Sequence, residues 1–397
     1  MLLRLVQEMP DADLDVYLQR AIGERKAANA LRALTLPGDH FDFCSNDYLG
    51  FARSPQLRSM VQERHARRGN DFLGSTGSRL ISGNSELCES VEVRIADFHG
   101  AEAGLVFNSG YDANLGLISS VPQRSDTILY DELAHASIRD GLRLTFARSY
   151  SFRHNDLDDL KRKIDLGRGQ VFVAVESIYS MDGDAAPLSE MAALCGQHGC
   201  HLIVDEAHAT GVFGSGGRGR TVELDLTDKV FARVHTFGKA LGSHGAIVLG
   251  SDTLRTFLIN FARSFIYTTF LPPHSLLAVE SAYEMLGESQ ELIEKLHGNI
   301  RLFRSGIPAE LGKSFIESDS PIQCLLISGN DRVKQVSGYL RGEGFDVRPI
   351  LYPTVPRGKE RLRICLHAFN TPNDIQRLTE LLRTWLQDAE REAVAES

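Results

Sequence analysis

One lysine, Lys239, lies among small residues in the segment HTFGKALG. It follows the apolar run VHTF, and Gly238, Ala240 and Gly242 leave room beside it. A lysine amine can attack a carbonyl carbon to form a Schiff base, and a planar ring bound to it needs space against the backbone. The segment therefore predicts a nucleophilic, Schiff-base lysine.

The segment HLIVDEAHATGVFG places Asp205 and His208 after another apolar run. Open α/β sheets bind ligands at the carboxyl ends of their strands, so both side chains are candidates for a site. Asp205 can simply cap a helix there. In the functional alternative it holds a proton on a pyridine nitrogen, and the resulting ring cation withdraws electrons from the reacting carbon.

The segment FNSGYDANLGL brings Ser109, Gly110 and Tyr111 between the run GLVF and a helix-forming stretch. The first backbone N–H groups of a helix have no partner inside it, and they bind anions such as phosphate. An ordinary capped helix gives the same pattern. Two further candidates are His135, in the helix start or turn DELAHASIRDG, and Ser180, after the run VFVAVE. His135 taken alone is typical of a structural histidine.

The segment GSGGRG (214–219) matches the GxGxxG motif of dinucleotide-binding folds. In those folds the motif lies directly between a strand and an apolar helix. Here residues 209–213 separate it from the preceding run, and TVELDL follows. We therefore interpret these glycines as a turn.

Short apolar runs alternate with helix-length stretches, as in a mostly parallel sheet covered by helices on both faces. The predicted strands are GLVF (104–107), TILY (127–130), VFVAVE (171–176), HLIVDE (201–206), VHTF (234–237) and AIVLG (246–250). A smaller α/β unit follows a long helical stretch near 274–305. We predict an N-terminal helix and arm at 1–55, a large domain at 56–290 and a small C-terminal domain at 291–397.

The composition argues against several classes of partner. With 43 basic and 52 acidic residues, the formal net charge of -9 offers no field for nucleic acid or an anionic membrane. No stretch approaches the roughly 18 uncharged apolar residues of a membrane span. The six cysteines form neither a CxxC pair nor a Cys/His metal spacing, so we expect reduced thiols and no metal site. We expect a cytoplasmic protein whose partners are small molecules and other subunits.

Several segments together resemble the α-oxoamine synthases, pyridoxal-phosphate enzymes with the aspartate-aminotransferase fold. In the family's order they are DFCSNDYLGF, GSTGSRLISGN, FNSGYDANLGL, AHAS, SMDGD, VDEAHATGVFG, HTFGKALG, FIYTTFLPP and YPTVPRGKERLR. The resemblance implies an α/β fold of the PLP-dependent transferase type I class, with a large domain and a smaller C-terminal one. It also implies pyridoxal 5'-phosphate as cofactor and a homodimer with shared active sites.

The resemblance gives each candidate residue a role. Lys239 would bind the cofactor covalently, Asp205 would pair with its ring nitrogen, His208 would hydrogen-bond its ring oxygen, and His135 would stack on the ring. These four form the implied catalytic set. At the cofactor, the resemblance implies Ser109, Gly110 and Tyr111 at the phosphate, Ser180 and Thr236 in the pocket, and Thr268 or Thr269 at the phosphate of the neighbouring subunit. At the substrates, it implies Asn46 and Arg363 at the amino-acid carboxylate, Thr354 at the acyl substrate, and Arg32 as a further substrate contact.

Within the family, the segment ERKAANALRAL, which contains Arg32, is most similar to the branch that condenses L-alanine with a pimeloyl thioester in biotin biosynthesis. Many members of that branch have an arginine where this chain has Leu351. The glycine-using 2-amino-3-ketobutyrate CoA ligase and 5-aminolevulinate synthase share the Tyr-Pro pair that begins at Tyr352. A long-chain acyl donor, as in serine palmitoyltransferase, is a further alternative.

The resemblance thus implies the reaction type and leaves the amino acid, the acyl chain and the thioester carrier open. A plain aminotransferase would share the fold and the lysine but lack HTFGKALG and YPTVPRG as a set. A binding protein that kept the fold without activity is the alternative from a third class.

Overall fold

A seven-stranded sheet forms the centre of the protein in the computed structural model, which describes residues 14–36, 38–68, 73–307 and 313–395. Its strands lie in the order β2-β8-β7-β6-β5-β3-β4. They are β2 (Ala103–Phe107), β3 (Thr127–Asp131), β4 (Arg148–Phe152), β5 (Val171–Glu176), β6 (His201–Asp205), β7 (Ala232–Thr236) and β8 (Ala246–Gly250). Only β8 runs antiparallel to its neighbours, β2 and β7, so the mostly parallel sheet predicted from the sequence is confirmed.

Helices cover both faces of this sheet. The arm helix α1 (Leu14–Ala27) is exposed along its length. The helices that follow it are α2 (Pro55–Arg68), α3 (Glu86–His99), α4 (Gly110–Ser120), α5 (Ala136–Leu144), α6 (Leu157–Ile164), α7 (Leu188–His198), α8 (Arg220–Glu223), α9 (Asp252–Phe261), α10 (Arg263–Ile266), α11 (Pro273–Gly287) and α12 (Gln290–Gly306). The strand interiors are almost fully buried, and three apolar clusters pack on them, as expected for a sheet without a solvent face.

A smaller antiparallel sheet lies beyond α12, in the order β11-β12-β9. Its strands are β9 (Ile322–Leu326), β11 (Arg348–Ile350) and β12 (Arg361–Cys365), and it is flanked by α13 (Asn330–Gly342) and α14 (Pro372–Ala395). The arm strand β1 (Phe41–Asp42) pairs in parallel with β10 (Phe345–Asp346). The arm thus contacts the C-terminal part, while the domain boundaries near residues 55 and 290 stay predictions.

The register of the large sheet brings the predicted site residues to one edge. Glu176, the last residue of β5, pairs with Asp205, the last residue of β6, and β7 ends beside them at Thr236. Because β3, β5, β6 and β7 are parallel, their carboxyl ends open on the same side. Within the described residues, no helix is long and apolar enough to cross a membrane.

Candidate active site

A cavity of about 280 Å³ lies at this carboxyl edge. Its lining residues come from the ends of strands and the starts of helices: Asn46, Ser109, Gly110, Tyr111, Asn114, His135, Ser137, Glu176, Asp205, Ala207, His208, Thr236, Gly238, Lys239, His244 and Gly245. Nine residues of the predicted site are among them. The remaining predicted residues, Ser180, Thr268, Arg363, Arg32 and Thr354, lie outside the lining.

Lys239 lies three residues beyond β7, and its Nζ donates to Thr236 Oγ1 at 3.3 Å. Burial lowers the pKa of this amine, although the carboxyl groups of Asp205 and Glu176 oppose the effect. Burial disfavours the charged ammonium, so a larger share of the amine is neutral and nucleophilic. The setting of Lys239 is therefore compatible with the nucleophilic role predicted from the sequence.

Asp205 is held rigidly at the end of β6. Its Oδ1 accepts a hydrogen bond from the backbone N–H of Ala207 at 2.9 Å, and its Oδ2 accepts one from Asn114 Nδ2 at 2.7 Å. The side chain thus does bond the local backbone, as in the simpler interpretation. A residue that only caps the local backbone does not need the second hydrogen bond, in which Asn114 of α4 holds Asp205 Oδ2. Asn114 also donates to Ser137 Oγ at 3.0 Å.

Both predicted histidines favour the neutral form. Burial is the main cause of the lowered pKa of His135, whose Nδ1 accepts from the backbone N–H of Ser137 and so caps α5. Burial also lowers the pKa of His208 far below the ordinary value, aided by the charges of Lys239 and Arg363. A neutral imidazole carries one ring proton, so each ring offers one donor and one acceptor.

The start of α4 lies at the cavity and is capped by its own chain. Ser109 is the N-cap, and its hydroxyl accepts from the backbone N–H of Asp112 at 3.1 Å. A Cβ on Gly110 would lie 2.5 Å from Thr236 Cγ2, so only glycine fits against β7 there. The Tyr111 hydroxyl donates to Asp140 Oδ2.

Arg363 projects from β12 towards the cavity wall. Its Nε donates to the carbonyl oxygen of Ser180 at 2.7 Å, and its Nη2 donates to Asn46 Oδ1 at 3.1 Å. The structure therefore joins Asn46, Ser180 and Arg363 into one group. The Ser180 backbone N–H donates to Glu176 Oε2 at 3.2 Å, which connects this group to the floor of the cavity.

Three predicted residues outside the cavity lining make contacts elsewhere. Thr268 Oγ1 accepts from Asn108 Nδ2 at 3.0 Å, so Thr268 is beside the start of α4 in its own chain. Arg32 Nη2 donates to Thr354 Oγ1 at 2.9 Å. This pair lines a separate cleft of about 210 Å³, together with Arg25, Ala30 and residues 349–353.

The family resemblance assigns no role to three polar residues of the site. Asn114 orients Asp205, Glu176 lines the cavity beside it, and the Tyr48 hydroxyl lies 2.7 Å from His208 Nδ1. Burial, with the Asp205 charge second, raises the pKa of Glu176 well above its usual range. The position of Glu176 at the last residue of a predicted strand was an available signal. Asn114 and Tyr48 required knowledge of which elements pack together.

Comparisons with known proteins identify the family of this chain. The family model for aminotransferase class I and II matches residues 38–382. The chain is 44% identical to 8-amino-7-oxononanoate synthase from Emericella nidulans, covering 94% of this chain and 96% of the relative. The chain therefore belongs to the aminotransferase class I and II family and, within it, to the α-oxoamine synthases.

Solved structures give the same fold. Serine palmitoyltransferase from S. paucimobilis with bound PLP–myriocin aldimine has a TM-score of 0.85 and 26% identity, covering 94% of this chain and 98% of that one. The 8-amino-7-oxononanoate synthase from Francisella tularensis has a TM-score of 0.76 and 28% identity, covering 88% and 99%. The PLP-dependent fold type I expected from the sequence is confirmed.

The cavity fits pyridoxal 5'-phosphate in three respects. Glu176 Oε1 and Asn114 Oδ1 are buried polar atoms with no partner among the described residues. The Lys239 amine bonds only Thr236 there, so it is free to react. A carboxylate, two neutral histidines and a helix start converge on the same space. These are the groups that a phosphorylated pyridine aldehyde requires.

Proposed function

We propose that this protein condenses L-alanine with a pimeloyl thioester to form 8-amino-7-oxononanoate, releasing carbon dioxide and the free thiol of the carrier. The observation that carries the proposal is the buried Lys239 amine, which shares one cavity with Asp205, His135 and His208 in a chain 44% identical to a synthase of that name. The condensation is a step of biotin biosynthesis.

Pyridoxal 5'-phosphate, when bound, supplies an electron-withdrawing ring that stabilises negative charge on the amino acid's Cα. Lys239 would hold it covalently, the start of α4 would hold its phosphate, and His135 would stack on the ring. Asp205, fixed by Asn114, would keep a proton on the ring nitrogen. His208 would donate to the ring oxygen.

The protein's own groups then handle substrate and protons. The neutral Lys239 amine would remove the Cα proton of the amino acid and return a proton after carbon dioxide has left. Arg363 and Asn46, already joined by a 3.1 Å hydrogen bond, would bind the amino-acid carboxylate. A fixed carboxylate sets which Cα bond stands perpendicular to the ring, and that geometry selects the bond that breaks.

The acyl donor would enter past the cleft that contains Arg32 and Thr354. Two arginines, Arg25 and Arg32, line this cleft, and they would attract an anionic acyl chain or thioester carrier. The cleft has Leu351 where many relatives have an arginine, so this chain would rely on these two cations.

A second candidate is condensation of serine or glycine with another acyl thioester. It is favoured by the serine palmitoyltransferase structures, whose TM-scores of 0.85 and 0.86 exceed the 0.76 of the Francisella 8-amino-7-oxononanoate synthase. The sequence identity favours the alanine and pimeloyl pair.

A substrate panel tests the proposal. The visible spectrum of the purified holoenzyme is titrated with alanine, glycine and serine, and each is then combined with pimeloyl-CoA, acetyl-CoA or palmitoyl-CoA. We expect turnover with alanine and pimeloyl-CoA. Turnover only with serine and palmitoyl-CoA, or with glycine and acetyl-CoA, would replace the proposed substrates. Exchange between amino and keto acids without thioester consumption would make the protein an aminotransferase.

We also propose a cytoplasmic homodimer in which Thr268, or its neighbour Thr269, contacts the phosphate bound by the partner subunit. The place of Thr268 beside Asn108, next to the helix that would hold the phosphate, supports a role at this end of the cavity. Exposed apolar side chains nearby, including Tyr267 and Phe261, support burial against a second copy.

A further inference from the structure

A chain of hydrogen bonds runs behind the cavity from Arg363 to His208. Arg363 Nη2 donates to Asn46 Oδ1 at 3.1 Å, and the Tyr48 hydroxyl lies 3.2 Å from the same Asn46 oxygen. The Tyr48 hydroxyl also lies 2.7 Å from Nδ1 of His208. Tyr48 is completely buried, so water does not compete for these bonds.

The protons in this chain can be assigned. Burial raises the pKa of Tyr48 well above its ordinary value, and the opposing Arg363 charge is the smaller effect, so the phenol keeps its proton. The hydroxyl can donate that proton either to Asn46 or to His208. Asn46 Oδ1 already accepts from the cationic Arg363, and the His208 contact is shorter by half an ångström, so His208 is the better acceptor.

We propose that Tyr48 is a positioning residue that donates to Nδ1 of His208 and thereby fixes the ring proton of His208 on Nε2. None of the described residues bonds Nε2, so it stays available as a donor in the cavity. If Tyr48 donated to Asn46 instead, the ring proton would lie on Nδ1 and Nε2 could only accept. This inference rests on the proposed function, in which Nε2 donates to the cofactor's ring oxygen.

The groups that face His208 agree with a neutral ring. The charges of Lys239 and Arg363 disfavour a positive charge on it, and burial is the larger effect. One ring proton must therefore serve one nitrogen, and the partner of the other nitrogen decides which. The same Tyr48 hydroxyl adjoins the group that would bind the amino-acid carboxylate. Tyr48 thus connects the substrate-binding arginine to the cofactor-binding histidine.

The test is a pH titration of the visible absorbance of the holoenzyme in Tyr48→Phe. A ring oxygen that loses its donor carries more negative charge and holds the nearby proton on the Lys239 nitrogen more tightly. We expect the pH midpoint of the absorbance change to rise by about one unit, the equivalent of one hydrogen bond. An unchanged midpoint in a folded Tyr48→Phe protein would overturn the proposal.

Tyr283→Phe is the matched control. Tyr283 is also buried, and its hydroxyl bonds a buried histidine, His99 Nε2, at 3.0 Å, away from the cavity. We expect its midpoint to match that of the wild type. In the background His208→Asn, the further change Tyr48→Phe should add no shift. A full second shift there would mean that Tyr48 acts without His208, contrary to the proposal.

A second measurement keeps the inference testable if Tyr48→Phe fails to fold. Nitrogen-15 NMR of histidine-labelled wild-type protein, assigned with His208→Asn, reports which His208 nitrogen carries the proton. A protonated Nε2 is expected, and a protonated Nδ1 would overturn the proposal. This measurement needs no cofactor, so it tests the position of the His208 proton independently of the proposed function. The proposed function would be contradicted by a different result, namely that the wild-type protein binds no pyridoxal phosphate.

Discussion

Burial governs the chemistry of the individual site residues. It lowers the pKa of Lys239, keeps His135 and His208 neutral, and raises the pKa of Glu176. Burial thus favours the uncharged form of an amine, two imidazoles and a carboxyl group, all beside Asp205. In water these groups would carry their ordinary charges, so the fold itself prepares the site.

Asp205→Asn tests the proposed role of the carboxylate. An amide can accept from Asn114 but cannot hold a positive charge on the ring nitrogen, so the cofactor should bind and kcat should fall. A charge-assisted hydrogen bond of about 3 kcal/mol corresponds to a loss of about 10²-fold. Steady-state kinetics, normalised to bound cofactor by absorbance, measure the loss.

The control for this substitution is Asp126→Asn. Asp126 is a buried carboxylate that accepts from the backbone N–H groups of Gln123 and Gln170 and lies outside the cavity lining. Its kcat should stay near the wild-type value. Equal losses in both variants would mean that Asp205 acts only through folding.

Residue types with a distinctive local setting could be predicted from the sequence. Asp205 ends one strand and Lys239 closely follows another, and both lie in the cavity. Tyr48 and Asn114 could not be found in this way, because their function depends on contacts with residues 160 and 91 positions away. Such contacts follow from sheet order and helix packing.

At the scale of elements, the buried strands were predictable and the exposed edge strand β4 was not. The predicted runs at 171–176 and 246–250 match β5 and β8 in full. The edge strand β4 has the sequence RSYSF, and only its last residue is buried. An exposed edge strand needs no apolar run, so its sequence resembles that of a loop.

The loop that carries Lys239 also corrects one expectation. The sequence suggested that both neighbouring glycines leave room for a ring. Gly242 instead has a φ of 57°, and a Cβ there would lie 2.2 Å from the backbone nitrogen of Ala52. Gly242 is therefore required for a close approach between two backbone segments.

A pair of alanine substitutions in this loop tests that explanation. Gly242→Ala should destabilise the protein by about 3 kcal/mol or more, because neither backbone segment can move away easily. Gly238→Ala, whose Cβ would meet nothing nearer than Ser243 O at 3.7 Å, should cost less than about 1 kcal/mol. Thermal unfolding compares them, and equal melting temperatures would contradict the explanation.

His154 joins β3 to the loop after β5. Its Nδ1 contacts Asp131 at 2.9 Å and its Nε2 contacts Asp184 at 2.7 Å. His154, Asp182 and Asp184 have the atom types of a metal site, but both ring nitrogens are already engaged. Burial alone would lower the pKa of His154, yet the two carboxylates raise it to about 9.

The stability from His154 should therefore depend on pH. The folded pKa is above the unfolded value of about 6.5, so the stabilisation is complete below pH 6.5 and is lost as pH rises through 9. His154→Gln should be less stable than the wild type by about 3 kcal/mol at pH 6. Urea unfolding between pH 6 and 10 should show this difference shrinking, and a constant difference would contradict the ion pairs.

At the scale of the whole molecule, one edge of the large sheet collects residues from the full length of the chain. Asn46 comes from the arm and Arg363 from the C-terminal sheet, and they meet beside Ser180. The family resemblance implied this group, whereas hydrophobic periodicity alone could not bring residues 317 positions apart together. The contact between Asn46 and Arg363 thus connects the predicted N-terminal arm to the predicted C-terminal domain.

Mixing two inactive variants tests the shared site. Lys239→Ala removes the amine, and Thr268→Glu places a negative charge where the partner's phosphate would bind. A mixed dimer has one site with both native residues, so dissociation and reassociation of an equal mixture should restore about a quarter of wild-type activity. Sedimentation should show about twice the monomer mass of 43.9 kDa. If mixed dimers form but regain no activity, Thr268 acts in the active site of its own subunit, contrary to the proposal.

The central claim is a covalent bond between the Lys239 amine and an aldehyde of pyridoxal 5'-phosphate. Borohydride reduction of the native protein, followed by digestion and mass spectrometry, tests it directly. The peptide that contains Lys239 should carry the mass of a phosphopyridoxyl group, and the same treatment of Lys239→Ala should label no peptide. An unmodified Lys239 peptide from the reduced native protein would contradict the account.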